Sequence, residues 1–140
     1  MGDLSEHLSQ REYVCKCCGK LPPMFRVDGE ILTCYQDLFS VFENIRLAWG
    51  KPLIVTSGYR CPAHNKAVGG EPLSAHVFGL ALDLKVGSFD EARELAECAK
   101  GTGLGMRLGY KKYTTPTFHV DVAFHVYPRP SEFFIPEVEW

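Results

Sequence analysis

Three segments of this 140-residue chain carry residue types that could act together on a substrate. They are Ser57-Gly-Tyr-Arg60, then Ser74-Ala-His76-Val-Phe-Gly79-Leu-Ala81-Leu-Asp83, and downstream Phe118-His119-Val-Asp121. An imidazole and a carboxylate seven residues apart, with a second imidazole on a distant segment, match the three-ligand open zinc site used by hydrolases. His76, Asp83 and His119 are therefore the candidate ligands of Zn2+, and the chemistry they point to is metal-assisted hydrolysis. Gly79 and Ala81 between the first two ligands are small enough for backbone and metal to approach closely. His76 standing alone would read as a hydrogen-bonded turn histidine.

Other polar residues surround this set. Arg60, at the end of a short β-branched run, suits an oxyanion or a terminal carboxylate held bidentately, or else a surface salt bridge. Ser74 suits a hydrogen bond to a ligand's partner or to a substrate carboxylate, or a turn. Asp121 follows His119 at i+2 on an alternating segment, so the two share a face about 6.5 Å apart. That spacing allows Asp121 to act on metal-bound water as a base, or to orient His119. His64 and His125 lie near the same segments; either could donate or accept a proton, or serve as a structural or solvent-facing histidine.

The surrounding pattern predicts how these residues are carried. Thr33 with Gln36 resembles a capping box that opens a helix with Leu38, Val41, Phe42, Ile45 and Trp49 on one face, ended by Gly50 and Pro52. Leu53–Thr56 reads as a buried strand, and Pro62 opens a helical turn closed by Gly69 and Gly70. Leu80–Val86 alternates, placing Asp83 on the side opposite Leu82 and Leu84. Ser88 and Glu91 open a second amphipathic helix to Gly101. Gly101, Gly103, Gly105 and Gly109 read as a connection. Phe118–Val126 reads as a strand, and the tail after Pro128 packs across the body. The expected fold class is α+β, a small, mostly antiparallel sheet flanked by helices.

Composition bounds the rest. With 46% hydrophobic residues the chain suits one domain, 1–140, with a cysteine-rich segment at 12–20. A net charge of -2 and no basic run interleaved with aromatics argue against nucleic acid as a partner. No apolar run approaches the roughly 20 residues that span a bilayer, and the start lacks a charged n-region followed by an apolar h-region. The expectation is a protein without membrane insertion or signal peptide, and a monomer. Of six cysteines, Cys15 and Cys18 form a Cys-x-x-Cys pair that could hold half of a structural zinc site. No second pair follows at finger-like spacing, so Cys15, Cys17, Cys18 and Cys34 read equally as reduced thiols with at most one disulfide.

Ser57-Gly-Tyr-Arg60, Asn65 with Val68-Gly-Gly70, the Ser74-to-Asp83 motif and Phe118-His119-Val-Asp121 together resemble the M15 family of zinc D,D-peptidases, of the Hedgehog/D,D-peptidase fold. The resemblance covers roughly residues 12 to 123. It implies hydrolysis of peptidoglycan stem or cross-link peptides, by a D,D-carboxypeptidase or an endopeptidase of endolysin type. It also implies His76, Asp83 and His119 as zinc ligands, with Arg60 binding substrate or polarising the scissile carbonyl. An endolysin without a signal would reach the wall by another route. Many members place an acidic base three residues before the last histidine, where this chain has Pro116; Asp121 is the leading substitute. Two other classes compete. One is a non-catalytic zinc-containing module that binds wall peptide or a protein, favoured by Pro116. The other is a redox or zinc-ribbon regulator on the early cysteines, which predicts metal binding that survives replacement of His76.

Overall fold

The computed structural model describes residues 2–70, 74–102, 106–110, 116–122 and 134–139. Two short elements form before the first long helix, in a stretch without a clear periodic pattern. Helix α1 (Gln10–Tyr13) starts after Ser9, whose amide donates to Glu12 Oε1 at 3.0 Å. A hairpin of β1 (Arg26–Val27) and β2 (Glu30–Ile31) then turns on Asp28 (φ 55°) and Gly29 (φ 82°). A two-residue hairpin loop of this kind needs left-handed backbone at both positions, which Asp-Gly tolerates.

Helix α2 (Thr33–Trp49) buries Tyr35, Leu38, Phe39, Val41, Phe42 and Ile45, while Trp49 is only partly covered. Its cap differs from the expected capping box. Leu32 is the capping residue and Thr33 is already helical, so the Gln36 side chain donates to Ile31 O at 2.6 Å instead of closing a box on Thr33. Gly50 (φ 72°) ends the helix as expected, its amide donating to Arg46 O at 3.1 Å. Helix α3 (Pro62–Ala67) begins with its proline, whose missing N–H is harmless there. Helix α4 (Phe89–Gly101) is capped by Ser88 Oγ, which accepts from Glu91 N at 3.0 Å; the Glu91 carboxylate reaches Gly87 N at 3.1 Å.

The sheet is built from β3 (Ile54–Ser57), β4 (Ala81–Lys85), β5 (Met106–Tyr110), β6 (Thr117–Asp121) and β7 (Phe134–Glu139), in the order β3-β4-β6-β5-β7. All neighbours are antiparallel except β5 and β7, which run parallel. The fold is thus α+β with a mostly antiparallel sheet, as its patterning predicts. Two parts of the reading need correction. Met106–Tyr110, including Gly109, is a strand and not a glycine-rich connection, and Phe134–Glu139 in the tail is a strand added to its edge. Glycine frequency suggests a turn there, but the segment is paired on one side with β6 and on the other with β7, which outweighs the low strand preference of glycine. The far end of the expected 118–126 strand, with His125, lies outside the described residues.

On one sheet face Val55 pairs across with Leu84, Leu84 with Phe118 and Leu82 with Val120. All five are buried in one core with the apolar faces of α2 and α4, which also pack on each other. Period-two alternation then forces Asp83 and His119, directly opposite each other in the β4–β6 register, onto the other face. Among the described residues no helix is long and apolar enough to cross a membrane.

Candidate metal centre

Asp83 and His119 are brought together by strand register; His76 arrives from the turn just before β4. That turn is tightly determined. Ser74 Oγ accepts from His76 N at 3.2 Å, Val77 N donates to Ser74 O at 3.0 Å, and Gly79 N to His76 O at 3.1 Å. Gly79 closes it with φ 74°, and a Cβ there would sit 2.5 Å from both the Tyr13 hydroxyl and Pro22 Cγ. The buried Tyr13 hydroxyl donates to Gly79 O at 2.6 Å, and the phenol is pushed well above its ordinary pKa by burial and then by Tyr35, so it remains a donor. Tyr13 itself packs edge-on to Phe39, ring centroids 5.2 Å apart, so the turn rests on the aromatic core.

The ring of His76 is held from behind. Its Nδ1 lies 2.7 Å from Gly58 O. A carbonyl oxygen only accepts, so Nδ1 carries the proton and Nε2 presents its lone pair forward. Nε2 lies 3.2 Å from Asp83 Oδ1, and His119 Nδ1 lies 3.0 Å from the same oxygen. The far nitrogen of His119, Nε2, meets Asp121 Oδ2 at 2.7 Å. One ligand atom from each of His76, Asp83 and His119 lies within 4.8 Å of the others.

The electrostatics suit a cation. Burial lowers the pKa of His76 despite Asp83 beside it, which keeps the imidazole neutral. Burial alone would raise Asp83, but the neighbouring His76 and His119 hold its carboxyl well below the usual carboxylate range. Burial likewise opposes charge on His119, yet hydrogen bonds to Asp121 and Asp83 raise it to about 9. A proton on His119 therefore stands where a metal would bind, and a metal entering must displace it. Two imidazoles and one carboxylate, each histidine tied through its second nitrogen, form a donor set that fits zinc with positions to spare.

Arg60 closes one side. Its guanidinium donates through Nε to Ser57 Oγ (3.2 Å), Nη1 to Asn65 Oδ1 (3.2 Å) and Nη2 to Asp83 Oδ2 (3.3 Å). Its amide donates to His76 O at 3.0 Å, which links the strand end to the metal turn. The structure thus gathers Arg60, Ser74, His76, Asp83, His119 and Asp121. It places Ser74 as the brace of the His76 turn, and Asp121, 1% exposed, behind His119. His64 lies on α3, where its amide donates to Cys61 Sγ. Pro116 stands just before β6 and has no carboxylate to offer.

Gly58 and Asn65 also belong to the centre. Asn65 is 2% exposed and aligns the guanidinium; the Gly58 carbonyl sets the His76 tautomer. A Cβ at Gly58 would lie 2.6 Å from Tyr13 O, so only glycine lets the chain pass there. The sequence signal for both is their place close to Arg60 in a turn-forming stretch, Gly58 just before it and Asn65 just after His64, which does not reveal partners distant in the chain.

No curated protein matches this sequence significantly. A family model described as Peptidase M15 matches residues 6–121, from the segment before α1 through Asp121, and so takes in every residue of the centre described above. The chain belongs to the M15 peptidase family.

Proposed function

We propose that this M15 peptidase is a zinc-dependent hydrolase of peptidoglycan stem or cross-link peptides, either a D,D-carboxypeptidase or an endopeptidase of endolysin type. The observation that carries the reading is the convergence of His76 Nε2, Asp83 Oδ1 and His119 Nδ1, each histidine fixed through its other nitrogen. These three residues would hold the ion. Zinc, when bound, supplies Lewis-acid activation of water and of the scissile carbonyl.

The remaining work belongs to the protein. Arg60, prevented from swinging by Ser57 and Asn65, directs a cation at the oxygen that gains charge during acyl transfer, or at the terminal carboxylate of a substrate. Asp121 holds the His119 ring in orientation and keeps Nδ1 turned toward Asp83; its position behind the ring supports this role over that of a base. Ser74 fixes the His76 turn. The competing reading, a zinc-containing module that binds wall peptide or protein without cleaving, is favoured by Pro116 at the position where many members of the family are expected to carry an acid.

Mass spectrometry of peptidoglycan fragments incubated with zinc-loaded protein separates the two. New peptide termini from the intact chain, absent with His76→Ala, establish a zinc peptidase and name the bond it cuts. Unaltered fragments across diverse wall chemistries, with zinc bound stoichiometrically, establish the binding module instead.

A further inference from the structure

A second convergence lies outside the centre described above. The Sγ atoms of Cys15, Cys18 and Cys61 lie within 4.8 Å of one another, although Cys61 is far downstream of the other two. The first two are set side by side by a tight turn. Cys15 N donates to Lys20 O at 3.0 Å, Gly19 N donates to Cys15 O at 2.7 Å, and Gly19 takes φ 69°, so the backbone folds back over the intervening residues. The third is delivered by the loop after Arg60, where Cys61 precedes α3.

Amide donors already face two of these sulfurs. Cys61 N–H points to Cys15 Sγ at 3.4 Å, and His64 N–H to Cys61 Sγ at 3.4 Å. Backbone N–H bonds of this kind are the outer partners that thiolate ligands use to disperse charge. Cys15 is 1% exposed, while Cys18 lies at the surface and leaves a way in. A disulfide would join two of the three sulfurs and strand the last. A tetrahedral zinc at about 2.3 Å from each sulfur sets sulfurs just under 4 Å apart and satisfies all three, and thiolates select zinc among the available divalent ions. Cys17, exposed on the same turn, lies near Cys61 but outside this group of three sulfurs.

We propose that Cys15, Cys18 and Cys61 bind a second, structural zinc ion that pins the N-terminal turn to the loop carrying Arg60. The two segments are already stitched by Tyr59 N donating to Tyr13 O at 2.8 Å, and Cys61 is the residue immediately after Arg60. A metal here fixes the direction in which the guanidinium leaves the backbone, without touching substrate. The site is independent of the His76 centre and stands or falls separately from the activity proposed above.

The test is metal content of the full-length protein, purified in reductant with zinc, by inductively coupled plasma mass spectrometry. Two equivalents are expected for the native chain, one for His76→Ala, and one for Cys18→Ser. Cobalt substituted into His76→Ala should show sulfur-to-cobalt charge-transfer absorption, which requires no cysteine change and so is unaffected should a cysteine variant fold poorly. A single equivalent in the native chain that is lost in His76→Ala overturns the proposal. Cobalt bound to His76→Ala without thiolate absorption also overturns it, as does a Cys15–Cys61 disulfide found by peptide mapping of protein kept in reductant. If zinc in the native chain is one equivalent and survives His76→Ala with thiolate absorption, the cysteine site holds and the reading of the His76 centre fails.

Discussion

His119 stands between two carboxylates, its Nε2 2.7 Å from Asp121 Oδ2 and its Nδ1 3.0 Å from Asp83 Oδ1. Asp121 is buried and faces Ala81 across the β4–β6 ladder, so its position is determined by the same register that sets Asp83 against His119. Orientation of the imidazole is thus a property of the sheet and not of a mobile loop.

Replacing Asp121 by alanine frees the ring, and removal of such an outer partner typically costs about 10–100-fold in metal affinity. Chelator competition should show this drop in zinc affinity, with Asp121→Asn falling between the two. Zinc affinity left unchanged, together with a kcat lower by about 10²–10⁴-fold, would instead make Asp121 the base.

Arg60 donates to three different acceptors with one planar group. Loss of a positioned charge-stabilising donor costs roughly 10²–10³-fold in kcat. Arg60→Ala should lose that much in a stem-peptide cleavage assay while zinc content stays the same. Arg60→Lys should recover little, because a point charge cannot span Ser57, Asn65 and Asp83 together. A change of only a few fold for both variants would leave Arg60 as a structural ion pair.

The Tyr13 hydroxyl is the buried partner of Gly79 O. Tyr13→Phe strands that carbonyl without changing shape, at about 1–3 kcal/mol. Gly79→Ala should cost more, since the side chain would meet the same hydroxyl and Pro22 in a left-handed conformation. Urea unfolding of the two variants measures both. A Tyr13→Phe midpoint equal to that of the native chain would remove this hydrogen bond as a support of the His76 turn.

Glu43 ties the N-terminal segment to α2, accepting from the Ser5 hydroxyl and from His7 N at 2.7 Å, with His7 Nδ1 also 2.7 Å away. Burial would raise its pKa, but the Ser5 and His7 hydrogen bonds outweigh this and lower it below the ordinary 4.5. A carboxyl whose folded pKa is lowered contributes stability that is complete above its unfolded pKa and is lost as pH falls through the folded value. Native stability should therefore decline below pH of about 4.5 more steeply than that of Glu43→Gln. Parallel pH profiles of Tm for the two proteins would dismiss the effect.

The local signals in this chain were strong where a short stretch decides its own conformation. Leucine alternation around Asp83, the apolar stripe of α2, the cap at Ser88 and proline at the start of α3 all depend on neighbours within a turn or two, and each is visible by reading along the chain. The Asp28-Gly29 turn is equally local, but the strands it joins have only two residues each and leave no alternating pattern to mark it. Met106–Tyr110 and Phe134–Glu139 carry no such signal, because their pairing depends on ladders to β6 and to each other.

By itself the sequence determined which side chains are offered: two imidazoles, a carboxylate and a guanidinium at spacings that suit a cation and an anion. Only the tertiary structure decided what each one faces. Gly58 O behind His76, Asn65 beside Arg60, Asp121 behind His119 and Cys61 beside Cys15 are contacts between residues brought together by the packing of β3, β4 and β6 over one core. Spacing along a chain constrains partners a few residues apart; cross-strand register and loop docking are set by the burial of Leu82, Leu84, Phe118 and Val120, whose gain belongs to the folded whole.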